Sequence, residues 1–252
     1  MPHPVLYSRK FKNVNSFLFD GVNETINIDS TRTSLATTTK GTWSAWVRVV
    51  DATPVGTQVF ICFGDTDANS LIDLNIQGSG VLLAQCIIAA SSKWILNTDA
   101  AAFSDNTWVH IALVHDGVSP VLFVNAISVA QAFSTSLDKT VWFNNIAGLD
   151  NGRLMCRNYN NAGNGNFVNG NMDECSIWNT NLSATQISEI YNGGKPGNLK
   201  KHSAFANLVD WYRGDGAAFD GTNFTIPNSS GNNSNTGTSV NMEANDLTTD
   251  VP

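Results

Sequence analysis

Charged side chains are scarce in this 252-residue chain: Lys, Arg, Asp and Glu supply 14% of it, against roughly a quarter in an ordinary soluble domain. Acidic residues outnumber basic ones by 21 to 14, for a net charge of -7, and no basic run is longer than a pair such as Lys200-Lys201. A phosphate-neutralising patch for nucleic acid is therefore not expected. No stretch approaches the roughly 18 apolar residues of a membrane span, so membrane insertion is not expected either. The opening MPHPVLYSRKFKNVNSFLF lacks a basic segment followed by an uninterrupted apolar run. That favours synthesis in the cytoplasm without export. The four cysteines, Cys62, Cys86, Cys156 and Cys175, form no CxxC pair, which removes zinc spacing. Each sits in an apolar stretch, favouring reduced, buried thiols, with a Cys156–Cys175 bond as the alternative.

With so few charges, Asn, Ser and Thr must carry much of the surface. These side chains compete for backbone hydrogen bonds inside helices and suit turns and sheet faces. Length alone allows two small domains or one large sandwich. Most of the chain runs apolar in short pieces bounded by Gly, Asn, Asp and Ser, as in TWSAWVRVV, TQVFICFG, GVLLAQCIIAA, TWVHIALVHDG, VWFNNIAG and GNMDECSIWN. That pattern predicts strands. In TWSAWVRVV one parity carries Trp43, Ala45, Val47 and Val49 and the other Ser44, Trp46, Arg48 and Val50, so one face turns to a core and one to solvent. The exception is NLSATQISEIYNGGKPG. Ser183 caps it with Gln186 three residues on, Leu182 staples onto Ile187, and Gly193-Gly194 ends it, predicting one short helix. The expected fold is all-β: a two-sheet antiparallel sandwich with that helix toward the carboxyl-terminal side.

The phrases FLFDGVNETINI, GTWSAWVRV, NTWVHIALVHDGVSPVLFVNA and GNMDECSIWNTNLSATQISEIYNGG, in this order, resemble the laminin G-like, concanavalin A-like lectin and glucanase superfamily in its bacterial and phage-borne form. The resemblance implies a jelly-roll sandwich over residues 16–197. Residues 1–15 are then an amino-terminal arm and 198–252 a polar carboxyl-terminal segment. Within that segment AAFDGTNFTIPNSS nearly repeats FLFDGVNETINIDS. LVDWYRGDG, Leu208 to Gly216, resembles the opening strand of such modules, here placed after the domain instead of before it. Too few large apolar side chains lie beyond 198 for a second sandwich, so the segment is expected to fold back on the first or to contact a neighbouring subunit. An Asn/Ser/Thr-rich tail that buries little needs something to fix it, which raises the expectation of a homo-oligomer or larger assembly.

Glucanases of this superfamily need two carboxylates flanking one glycosidic bond. Asp173 and Glu174 are adjacent, so a regular strand sends them to opposite faces, and no enzyme is expected. His110 and His115 are five residues apart and point to opposite faces by the same rule. His3 and His202 sit in polar flanks. The resemblance implies a structural Ca²⁺ at Asp20 and Asp173, an ion that takes six to eight oxygens. Asp65 and Asp67 in GDTDANS form a second candidate, against the reading that all four are turn formers. For a glycan the useful residue is an exposed aromatic face. Trp94, Trp142 and Tyr159 are the candidates, while Trp46, Trp108 and Trp178 belong to the family phrases and are expected in the core. These features favour a non-enzymatic virion component, a phage capsid decoration, fibre or tail-associated protein with a lectin-like module, binding other virion subunits and surface glycans. A cellular carbohydrate-binding lectin is the alternative, and a glycoside hydrolase the third.

Overall fold

The computed structural model describes residues 11–252; the amino-terminal part of the predicted arm and His3 lie outside the described residues. The amino-terminal half runs β1 (Ser16–Asp20), β2 (Thr25–Asn27), α1 (Asp29–Leu35), β3 (Gly41–Val49), β4 (Gln58–Gly64), β5 (Leu71–Ile76), β6 (Leu82–Ile88), β7 (Ser91–Thr98), β8 (Trp108–His115), β9 (Pro120–Val124), β10 (Ile127–Ser128) and β11 (Gln131–Ser136). There follow β12 (Asn151–Leu154), β13 (Arg157–Asn158), β14 (Asn164–Gly165), β15 (Asn169–Trp178), α2 (Ala184–Tyr191), β16 (Leu208–Tyr212), β17 (Ala218–Phe219), β18 (Phe224–Pro227), β19 (Thr236–Val240) and β20 (Leu247–Thr248).

Two antiparallel sheets form a sandwich. The smaller has the order β10-β9-β8-β3-β15-β1-β20 with β16 also on β15; the larger runs β11-β7-β6-β5-β4-β12-β2-β19-β18-β17. The alternation of β3 is realised: Trp43, Ala45, Val47 and Val49 enter the core between the sheets. They meet Phe63, Ile72, Leu74 and Trp94 from the larger sheet. On the outer face of the smaller sheet a second apolar cluster forms, where Ile187 and Ile190 of α2 cover Ala112, Val114 and Trp178. Helix α2 has the expected start, with Ser183 Oγ accepting from Gln186 N and Gln186 Oε1 accepting from Ser183 N at 2.9 Å.

Two expectations about elements change. VWFNNIAG is no strand but a 3-10 turn at Phe143–Asn145, because Asn145 Oδ1 accepts from Trp142 N at 3.2 Å and closes the chain on itself. Helix α1 was not expected, since Ser and Thr are weak helix formers. Tertiary contacts hold it instead: the Thr31 and Tyr212 hydroxyls meet at 2.9 Å, and Asp29 accepts from Gly152 N and pairs with Arg153. All four cysteines are free and buried, so the Cys156–Cys175 bond is not formed. Burial pushes the Cys156 thiol up to about 11. Among the described residues no helix is long and apolar enough to cross a membrane.

The carboxyl-terminal segment extends both sheets of its own chain. Strand β16 pairs with β15, β20 with β1, and β19 lies between β2 and β18. Asp250 accepts from the Trp108 indole at 2.9 Å and lies 3.4 Å from Arg48. The tail is therefore fixed in cis by ladder hydrogen bonds, and its order needs no neighbouring subunit. The repeated phrase now has a physical meaning. Asp20 Oδ1 accepts from the amides of Val22 and Asn23, and Asp220 Oδ1 from those of Thr222 and Asn223. The same words encode the same Asx turn twice. The strands that follow the two turns, β2 and β18, flank β19, where a Cβ on Gly237 would press on Ile26 and Ile226, the matched isoleucines of the two copies.

Candidate functional site

Strand β15 is served along one edge by two strands placed end to end. Phe17 to Asp20 of β1 pair with Met172 to Asn169, and Tyr212 to Leu208 of β16 pair with Cys175 to Trp178. Between them Asp173 and Glu174 have no partner strand. On the other edge Asp173 lies opposite Trp46 and Ser176 opposite Ser44, so Glu174 and Cys175 share the single position facing Ala45. This is a β-bulge, and Glu174 takes a left-handed φ of 53° within it. Alternation breaks there. Met172, Cys175 and Ile177 all enter the inner core, and both acids turn outward together, which corrects the expectation of opposite faces.

The gap is filled by charge. Glu174 Oε1 accepts from Arg213 Nε at 2.7 Å and Oε2 from the Trp211 indole at 2.6 Å. Asp173 Oδ1 accepts from Gly214 N at 3.2 Å, while its buried Oδ2 makes no hydrogen bond. Desolvation raises both carboxyls, Asp173 to about 7 and Glu174 to about 8, the latter further by the Asp173 charge. The Arg213 guanidinium also donates to the Lys12 carbonyl and to Asp215, and it stacks on the rings of Phe11 and Trp211 at 4.5 and 4.8 Å. Gly214 permits the crossing of the two strand ends, since a Cβ there would meet the Asn15 carbonyl. Gly214→Ala is expected to destabilise the fold by about 1–3 kcal/mol, read as a lower urea midpoint; an unchanged midpoint would mean the segments part freely.

Above this cluster lies an open groove of about 580 Å³ lined by Phe11, Asn198, Lys200, Arg213, Pro227 and Ser229, with Trp211 at its base. Lys200 makes no ion pair among the described residues. No carboxylate lines the groove, because Glu174 and Asp215 are committed to Arg213. In a chain of net charge -7 the groove carries one unpaired cation, Lys200, beside an arginine already offset by two acids, with amide, hydroxyl and ring surfaces around them.

The residues singled out in the sequence fall elsewhere, with Asp173 as the exception. Trp94 and Trp142 are 0% exposed, corrected from stacking platforms to core: the Trp94 indole donates to Val141 O at 3.0 Å, and Trp142 packs on Trp43 and His115. Of the family tryptophans, Trp46 and Trp178 are buried, while Trp108 is half-buried and ties down the tail. Tyr159 is half-buried on the β13–β14 hairpin, under Arg157 at 5.0 Å. That hairpin is packed down. It lies across the larger sheet, where Arg157 reaches buried Asp73 at 3.5 Å and Tyr159 packs on Val59, Cys62 and Leu71.

The histidines also sort out. His110 meets Ser44 at 2.7 Å on the outer face, its pKa lowered by burial to about 3, while His115 faces inward. His202, read as uninformative, is buried against Trp178 at 4.6 Å.

The calcium that the resemblance implies does not fit these residues. Asp20 pairs with Asn169, four positions along the strand from Asp173 and so about 13 Å away. Its carboxylate serves its own turn. Asp65 Oδ1 accepts from the Asp67 and Ala68 amides, the same turn-forming use. Among the described residues no three His, Cys, Asp or Glu side chains gather as metal ligands.

Comparison with known proteins agrees with this architecture. A family model described as the concanavalin A-like lectin/glucanases superfamily matches residues 20–188. The CBM40 of the Ruminococcus gnavus IT-sialidase, solved bound to alpha2,3 sialyllactose, has a TM-score of 0.57 at 15% identity, covering 71% of this chain and 97% of its own. A candidate carbohydrate binding protein from Bacteroides ovatus has a TM-score of 0.59 at 15% identity, covering 91% of this chain and 58% of its own. The NanB sialidase of Streptococcus pneumoniae, a K499G mutant, matches with a TM-score of 0.58 at 18% identity over 71% of this chain but 27% of that enzyme. At these identities the likeness is one of fold. No curated protein matches the sequence.

Proposed function

We propose that this chain, which belongs to the concanavalin A-like lectin/glucanases superfamily, is a non-catalytic carbohydrate-binding module that docks an acidic glycan in the groove over Arg213 and Lys200. The observation that carries the reading is the groove itself, where Lys200 has no ion pair among the described residues and no carboxylate stands in the lining. A sugar carboxylate or sulfate there meets the Lys200 ammonium and the outer edge of the guanidinium. The Phe11 ring and Pro227 offer apolar surface to a pyranose face, and Asn198 and Ser229 offer partners for hydroxyls. Structural neighbours with carbohydrate-binding descriptions support the class. The absence of catalysis is argued from Asp173 and Glu174: both are buried, Glu174 tied to Arg213 and Asp173 to the Gly214 amide, not held apart across an open cleft as glycoside cleavage requires.

Calorimetry with matched neutral and carboxylated oligosaccharides tests this. Preference for the acidic member is expected to weaken at high salt and to fall about tenfold or more in Lys200→Glu, which is roughly 1.4 kcal/mol. Equal affinity for both sugars, or no change in Lys200→Glu, would remove the groove from consideration. The comparisons support a cellular carbohydrate-binding protein more than a virion component. A particle-borne module, made in a host cytoplasm and surrounded by copies of itself or other virion subunits, is the second setting we propose for the same activity. Light scattering of the purified chain tests self-association.

A further inference from the structure

A second, smaller pocket lies between α1 and the loop after the Phe143–Asn145 turn. We propose that it binds a small carboxylate carrying an apolar body, with the carboxylate on Arg32. The pocket has a volume of about 230 Å³, and its walls are Phe143, Ile146, Leu149 and Ala36, with backbone at Ala147 and Gly148. Arg32 is the single polar side chain that lines it. Its Nε is buried and makes no hydrogen bond, and the side chain forms no ion pair among the described residues. Neither nearby acid pairs with Arg32: Asp29, one turn earlier, binds Arg153 and Gly152 N, and Asp65, whose Oδ2 lies beside Gly148, uses Oδ1 on the Asp67 and Ala68 amides.

Chemistry narrows the occupant. A carboxylate matches the planar fork of Arg and can bridge its two Nη groups, which are not sealed as Nε is. The remaining walls are apolar and provide no further side-chain donors, so a phosphate or sulfate would leave oxygens unsatisfied. The occupant's body must be apolar and small enough for the volume. This pocket shares no residue with the groove, so either reading can fail without the other.

The test uses the full chain and two probe pairs, butanoate with butanamide and benzoate with benzamide, followed by NMR titration and calorimetry. Saturable binding of the carboxylates is expected, with the amides binding about tenfold or more weakly, the usual worth of a charged hydrogen bond. Arg32→Gln should lower carboxylate affinity by the same factor, and Arg32→Lys, keeping charge without the fork, by less. Ala36→Trp should block the pocket from its exposed rim while leaving Arg32 in place. Circular dichroism of each variant confirms the fold, and glycan binding at the groove should be unchanged in all three. Equal binding of amide and acid, preference for inorganic phosphate, or full affinity in Arg32→Gln and Ala36→Trp would overturn the assignment.

Discussion

Replacing Arg213 by methionine should lower stability by about 3–5 kcal/mol at pH 9, the usual cost of stripping one partner from a buried ion pair, and by much less at pH 5. The difference comes from the Asp173 and Glu174 carboxyls beneath the guanidinium. Burial raises both, to about 7 and about 8, from ordinary values near 4. The native state therefore holds protons that the unfolded chain releases, so the contribution of this pair is full below about pH 4 and declines as pH climbs to about 8. The two titrate as one coupled site and share that window. Arg213 is the ion-pair partner of Glu174 in the gap, and its other acidic contact, Asp215, also draws on its charge. Without it the ionised forms lose their counter-charge and the carboxyls rise further, steepening the alkaline decline. At pH 5 both are protonated in parent and variant alike, and what is lost is the packing of the guanidinium on Phe11 and Trp211 together with its hydrogen bonds to the Lys12 carbonyl and Asp215. Urea midpoints of both proteins from pH 5 to pH 9 read this directly. A penalty of the same size at both ends would show that charge is not what Arg213 supplies.

How much of this was legible depended on whether the chain kept its period. In β3 the alternation is unbroken, and Trp43, Ala45, Val47 and Val49 are where parity puts them. The capping box of α2 is equally local and equally legible. At Asp173-Glu174 parity fails because a neighbouring strand ends there, and no local signal announces a strand end supplied by residues some forty positions away. The groove was hidden for the same reason, since Phe11, Lys200, Arg213 and Ser229 come from four separate stretches. One signal was present: Trp211 and Arg213 are two apart on a strand, so they share a face, and an indole beside a guanidinium on one face is an uncommon surface for plain packing. The repeated phrase was visible and its meaning was not. A turn recurs because each copy must lead the chain into a strand beside β19, β2 arriving from the smaller sheet and β18 from its hairpin with β17, a relation that appears only once the sheet is assembled.

The tryptophans misread as sugar platforms lead to the other large effect. Trp94 and Trp142 stand beside Lys, Ser and Asn in SSKWILN and VWFNN, but polar flanks describe the turn around a residue and not the direction of its side chain. Trp142 lies 5.5 Å from the Trp43 ring and 4.8 Å from the His115 ring, and Gly41 leaves its ring room. Its indole N–H has no partner, so removing it breaks no hydrogen bond and the whole loss is packing. Trp142→Ala is expected to cost about 3–5 kcal/mol, a fall in Tm of roughly 6–20 °C for a chain of this size. His115 should respond too. Its pKa is lowered by burial, and water entering the vacated space would return it toward the ordinary range, visible by NMR. Glycan affinity of the protein that remains folded should be unchanged, because the ring never faces the groove. If instead Trp142→Ala kept its melting temperature and lost sugar binding, the indole would have to be a contact surface after all, and the inward packing of this corner would be wrong.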